Sequence, residues 1–127
     1  MNYRSGQNEE AANHVSKTMD IYDAGDYLGA IEGKKDVKIL GLKEIVANYG
    51  STENGETAKI YLANSYANLG KPDEAFKYYE DYSGEIDIFK AASLAGQAGI
   101  YASKNEFEKA ADFYMKASKV SKTVAMN

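Results

Sequence analysis

A chain of 127 residues, 44% hydrophobic and 27% charged, is sized for one globular domain that closes its own core without disulfides or metal. It has no cysteine, which excludes a disulfide framework, a thiolate zinc site and a cysteine nucleophile. The net charge of −4, with the one basic cluster at Lys34, Lys35 and Lys38 interrupted by Asp36, argues against nucleic acid as a partner, and no run approaches the roughly 20 apolar residues of a membrane span.

The first predicted helix covers 8–23, with Glu9 and Glu10 near its positive end and an apolar line through Ala12, Val15, Met19 and Tyr22. Ala24-Gly25-Asp26-Tyr27 ends it. Gly29, Gly33 and the charged run to Lys38 break helical periodicity, so an insertion is expected near 29–38, with helix resuming near Ile39 and carrying Leu42, Ile45, Val46 and Tyr49. A polar turn follows, in which Ser51, Thr52 or Asn54 caps the next helix.

That helix, 58–69, stacks Leu62, Tyr66 and Leu69 on one face with Ile60, Ala63 and Ala67 beside them. Gly70-Lys71-Pro72 is a turn: Gly70 suits a left-handed closing position, and Pro72 suits the first turn of a following helix faced by Ala75, Phe76, Tyr79 and Tyr82. After a loop at Ser83-Gly84-Glu85, a helix over 87–103 is dominated at its centre by small side chains. Its glycines, Gly96 and Gly99, each cost roughly 1 kcal/mol relative to alanine. Close approach of a neighbouring helix explains them, or a ligand helix pressed on that face. Asn105 and Glu108 form a capping-box-like start to the last helix, whose face is Phe107, Ala110, Tyr114 and Ala117.

Tyr66, Gly70, Ala75, Tyr79 and Tyr82 return 35 residues later as Tyr101, Asn105, Ala110, Tyr114 and Ala117. A helical hairpin recurring at such a period signals a solenoid. Lys59-x2-Leu62-Ala63-x2-Tyr66 with Ala75-x3-Tyr79, and Leu94-x2-Gln97-Ala98-x2-Tyr101 with Ala110-x3-Tyr114, resemble the tetratricopeptide repeat (TPR) family. The Tyr49 to Thr52 boundary before an Ala-rich helix is similar to that of its bacterial cell-envelope-associated members. Lys59 in place of an aromatic, Gln97 in place of leucine, and Asp87 and Lys122 in place of proline depart from the pattern.

The expectation is therefore an all-α fold: an antiparallel helix-hairpin solenoid of about six helices in a single domain spanning 1–127. Its units are a divergent repeat at 10–52 holding the insertion, a repeat at 56–89 and another at 91–124. The resemblance implies a concave groove lined by the first helix of each hairpin. Those positions fall on Val15, Met19 and Tyr22, then Ile60, Asn64 and Asn68, then Ala95, Gly99 and Ala102. None is basic, so a carboxylate clamp is not expected. Asn64 and Asn68, i and i+4, either grip an extended backbone through their amides or stand in solvent.

Candidate chemistry is weak. His14 has no nucleophile near it in sequence, and Asp20, Asp23 and Asp26 lack the pattern of a calcium loop. The segment from Gly29 to Lys35 lacks the spacing and hydroxyl of a phosphate loop. Tyrosines at helical spacing read as core. The expected role is a protein–protein interaction scaffold that binds a peptide or helix. It is not an enzyme, holds no cofactor or metal, binds no nucleic acid and does not insert in the membrane. The resemblance implies the soluble part of a membrane-tethered envelope protein, on either the cytoplasmic or the periplasmic face, with a hydrophobic segment upstream. The alternative is a structural homodimer, paired through the small-residue helix and the open end near 119–127.

Overall fold

The computed structural model describes residues 3–126, with side chains over 6–121. Seven α-helices make up most of the described chain: α1 (Tyr3–Asp23), α2 (Tyr27–Glu32), α3 (Leu42–Tyr49), α4 (Glu53–Asn68), α5 (Pro72–Asp81), α6 (Asp87–Ser103) and α7 (Phe107–Met126). The fold is all-α, as the periodicity predicts. The additional helix arises in the insertion, where α2 runs to Glu32 and a small antiparallel hairpin follows: β1 (Gly33–Lys34) pairs with β2 (Ile39–Leu40) around a 3-10 turn over Lys35–Val37. Ile39 and Leu40 are held in this ladder, so helix resumes at Leu42 and not near Ile39. Thr18 of α1, fully buried, donates to the Leu40 carbonyl at 2.7 Å and ties the hairpin to the first helix.

Three of the helix-to-helix turns have one hydrogen-bonding plan. Gly25, Gly70 and Asn105 take left-handed φ of 81°, 74° and 63°. Each donates its N–H to a carbonyl three residues back (Tyr22, Ala67, Ala102), and the next residue donates to one five back (Ile21, Tyr66, Tyr101). This is the glycine-type helix stop, which satisfies carbonyls the ended helix leaves open. Asn105 is thus not the cap of a capping box. It closes α6, in the seat Gly70 holds for α4, because asparagine is one of the few residues to visit this region routinely. Pro72 stands in the first turn of α5. Thr52 is the residue that caps α4, its Oγ1 accepting from the Gly55 N–H at 3.0 Å.

Apolar burial is divided between two clusters that share α4. Val15, Ala30, Ile31, Leu42, Ile45, Ala58 and Leu62 join α1, α2, α3 and α4. Ile60, Ala63, Ala75, Tyr79 and Ile100 join α4, α5 and α6. Each large side chain so buried stabilises the fold by roughly 1.5–3 kcal/mol. Tyr66 stacks on Tyr78 with centroids 5.9 Å apart, and Tyr101 packs on Phe113 at 5.3 Å; both partners lie 12 residues on. No helix among the described residues is long and apolar enough to cross a membrane.

Lys59, in the seat where the resemblance expects an aromatic ring, is 7% exposed. Its Nζ lies 3.1 Å from Glu56 Oε1 and 3.1 Å from Asp81 Oδ2, and it donates to the Asp81 carbonyl at the C-terminal end of α5. A cation there satisfies helix-end carbonyls and stitches α4 to α5. Replacing Lys59 with alanine leaves Glu56 half-buried without its cation and is expected to cost about 2 kcal/mol, whereas Lys59→Met, which keeps the packing, costs less. Urea unfolding of the two variants checks the order.

Candidate binding groove

Helix α4 packs against both α1 and α6. Where they meet, Asn64 of α4 is held between two tyrosines. Its Nδ2 donates to Tyr22 of α1 at 3.1 Å, and its Oδ1 accepts a short hydrogen bond from the Tyr79 hydroxyl of α5. Asn68 donates to the Asn64 carbonyl at 2.8 Å. Of the two amides expected to grip a ligand, Asn64 is engaged inside the protein with one N–H to spare, whereas exposed Asn68 commits one N–H to its own helix and keeps a second N–H and its Oδ1.

Beside this network runs a row of partly buried rings, edge to face except for a last, tilted contact. Tyr27 meets Tyr22 at 5.6 Å, Tyr22 meets Tyr61 at 5.1 Å, Tyr61 meets Phe89 at 5.9 Å and Phe89 meets Tyr82 at 6.5 Å. Burial raises the Tyr22, Tyr61 and Tyr82 hydroxyls above their ordinary range, with Asp23 adding to the effect at the first two. Burial pushes Tyr79, only 6% exposed, up to about 12, and Tyr22 adds to it. At Lys59 burial opposes the charge, but hydrogen bonds to Asp81 and Glu56 outweigh it and hold the ammonium above the usual lysine range.

Between the α4–α5 turn and α6 lies an open cleft of about 410 Å³. Ala67, Gly70 and Pro72 line it from the turn, Tyr79 from α5, and Ala95, Gly96, Gly99, Ile100 and Ser103 from α6. The two α6 glycines differ. A Cβ on Gly96 would stand 2.6 Å from atoms of the Tyr79 ring, so this glycine is the close approach of a neighbouring helix. A Cβ on Gly99 would meet only the Tyr114 hydroxyl, at 3.6 Å, an ordinary contact. Packing explains Gly96 and leaves Gly99 as open floor.

Of the nine groove positions read from sequence, Ala95 and Gly99 line this cleft. Val15 and Ile60 do not face a groove. They are buried in the two core clusters, Ile60 at 1% exposure, because α4 is packed on both sides and α1 is covered by α2, α3 and α4. Met19 and Tyr22 are half-buried against the first cluster. Ala102 is half-buried and Asn68 exposed, and neither lines the cleft. Pro72, Tyr79 and Ser103 were not anticipated as lining. The proline turn and the small-residue run of α6 were the signals that could have joined them.

Other candidates have structural duties. Asp26 caps α2 by accepting from the Gly29 N–H at 2.9 Å and pairs with Lys34 at 2.9 Å. That lysine first, and the Gly29 N–H second, hold its carboxyl below the usual range. His14 packs on the Tyr49 ring at 5.6 Å, and its Nδ1 is buried with no hydrogen-bond partner among the described residues. No three acidic or histidine side chains among those residues are grouped to hold a metal ion.

Gly96→Ala, pressed against the Tyr79 ring, is expected to lose about 1–3 kcal/mol, whereas Gly99→Ala is expected to gain up to about 1 kcal/mol from helix propensity, both read from urea midpoints. The raised tyrosine and lysine values set the alkaline limit. The Tyr79 hydroxyl is neutral in both states below about pH 10, so its contribution is complete there. Above that the unfolded chain ionises first, and stability falls as pH climbs toward 12, by about 2–3 kcal/mol from Tyr79. Tyr79→Phe should lose about 1 kcal/mol at pH 7 and show a shallower decline between pH 10 and 12, measured by denaturant titration at each pH.

No family model matches the chain, and no solved structure matches it. Among curated proteins it is similar to a tyrosine–tRNA ligase of Mannheimia succiniciproducens, with 36% identity over 72 residues. That match takes in 57% of this chain and 17% of the ligase, so the chain spans less than a fifth of the length of that relative.

Proposed function

We propose that the chain is a helical-repeat interaction module of the tetratricopeptide type, and that its cleft between the α4–α5 turn and α6 receives an apolar side chain from an extended or helical segment of a partner protein. Support for the repeat comes from the shared hydrogen-bonding plan at Gly25, Gly70 and Asn105, and from the Tyr66–Tyr78 and Tyr101–Phe113 pairs set 35 residues apart. The observation that carries the binding reading is Gly99. It lines an apolar cleft of about 410 Å³, in the range of a site for one or two bulky side chains. No neighbour demands its missing side chain, although glycine there weakens the helix.

Of the polar side chains lining the cleft, Tyr79 donates to Asn64 and Ser103 donates to the Ile100 carbonyl, and neither is charged, which favours a neutral anchor over a charged one. On this reading the module binds and does not catalyse. The partial likeness to a ligase covers too little of that protein to bring its activity here. The test is selection from a displayed library of random linear peptides. Binders enriched in Leu, Ile, Phe or Trp anchors are expected, and Gly99→Leu, which fills the cleft, should weaken them roughly tenfold or more while the urea midpoint is unchanged or higher. Binding that ignores Gly99→Leu would overturn the proposal.

A further inference from the structure

The inner face of α7, through Ala110, Phe113 and Ala117, packs on α6. At about 100° per residue, Phe107, Ala111, Tyr114 and Ser118 fall in a separate line roughly a quarter of a turn away, with Met115 beside it. Nothing in the described residues covers this line: Phe107 is 63% exposed and Met115 62%, and Tyr114, Ala111 and Ser118 are exposed as well. Such a row of large apolar groups in water is a liability for a lone chain.

We propose that a second copy of this chain covers it, its α7 lying antiparallel to the first across a two-fold axis near residues 112 and 113. The face is complementary to itself in that orientation. Large and small side chains alternate along the line, so the two-fold sets Phe107 opposite Ser118 and Ala111 opposite Tyr114, a bulky group against a small one each time. Ser118 falls at the rim, where its hydroxyl stays in water while its methylene packs on the ring. The flank beyond Met115 carries acids in its first half, Glu108 and Asp112, and Lys119 in its second, with Lys116 further round. When antiparallel helices pair about such an axis, like flanks meet and halves reverse. The acids of one copy then face Lys119 of the other. A two-fold running along the helices, which makes them parallel, would instead turn that charged flank toward the side of the partner occupied by its α6. Lys109 is turned away from this face: it pairs with Glu106 at 3.4 Å and lies over the Tyr101 ring. The interface is isologous and modest in area, so the dimer forms reversibly. None of its residues lines the cleft, although the Tyr114 hydroxyl borders Gly99 from α7.

Sedimentation equilibrium of the 127-residue chain over a range of concentrations tests it. The expected mass rises with concentration from 13.9 kDa toward twice that value, and Ala111→Glu holds the chain at 13.9 kDa throughout with unchanged far-UV circular dichroism. Because the chain has no cysteine, orientation can be read by single substitutions. Ala111→Cys, close to the axis, should link two copies on oxidation. Ser118→Cys should not, since its twin lies about 16 Å away along the helices, beyond the roughly 7 Å a disulfide spans. A mass of 13.9 kDa at every concentration, a dimer indifferent to Ala111→Glu, or equal linking at both cysteines overturns the proposal.

Discussion

Helix α4 has to be buried on two sides at once, and the rest of the structure follows from that requirement. Ala58 and Leu62 belong to one apolar cluster, Ile60 and Ala63 to the other, so little of the helix is left for water. A helix enclosed in this way cannot leave its polar groups open, since each unmet donor or acceptor would cost on the order of 1–3 kcal/mol. Three polar side chains on it have partners supplied from another element or from its own backbone. Ser65 donates to the Tyr61 carbonyl, Asn64 lies between Tyr22 and Tyr79, and Lys59 reaches the end of α5. Neighbouring helices α1 and α5 are thereby fixed by polar contacts that tolerate little displacement, over apolar contacts that tolerate more.

The spacing of the left-handed turns shows how the chain accommodates its insertion. Gly70 and Asn105 are 35 residues apart, and Gly25 and Gly70 are 45 apart. The excess of ten is close to the nine residues, 33–41, of the hairpin and its junctions between α2 and α3. Placing extra residues in a hairpin pairs their backbone groups with one another. A structureless loop of that length would have left them to water or to the core. Thr18 then anchors the hairpin from α1, so the insertion adds to the packing of that helix without disturbing the turn at Gly25.

What could be read from sequence was what depends on neighbours in the chain. Gly70 and Pro72 announced their turn, and α6 began and ended at Asp87 and Ser103 as expected. Asn105 was misassigned because the same short polar side chain suits a helix start and a left-handed stop, and only the φ of 63° distinguishes them. The hairpin was hidden because strands of two residues carry no periodicity. Of the nine positions read as groove, Ala95 and Gly99 alone line the cleft, for a similar reason. A helical wheel cannot say which of two apolar faces is the inner one, so Ile60 and Val15 were placed on a surface they do not reach. The partners of Asn64 lie 42 and 15 residues away, outside any local pattern.

The glycines of α6 show most sharply where stability and space part company. Gly96 weakens its helix but admits the Tyr79 ring, whose burial and hydrogen bond to Asn64 more than offset a loss of about 1 kcal/mol. Gly99 weakens the same helix by a similar amount, and a Cβ there would make only an ordinary contact with the Tyr114 hydroxyl, so no close approach requires it. A core-building account therefore covers the first glycine and fails at the second, three residues away on the same face. What Gly99 leaves behind is a volume bounded by Ala67, Ala95 and Ile100, in which the Tyr79 hydroxyl is already given to Asn64 and the Ser103 hydroxyl to the Ile100 carbonyl. An apolar group from a partner would fill such a space at little polar cost, which is the physical content of the proposed site.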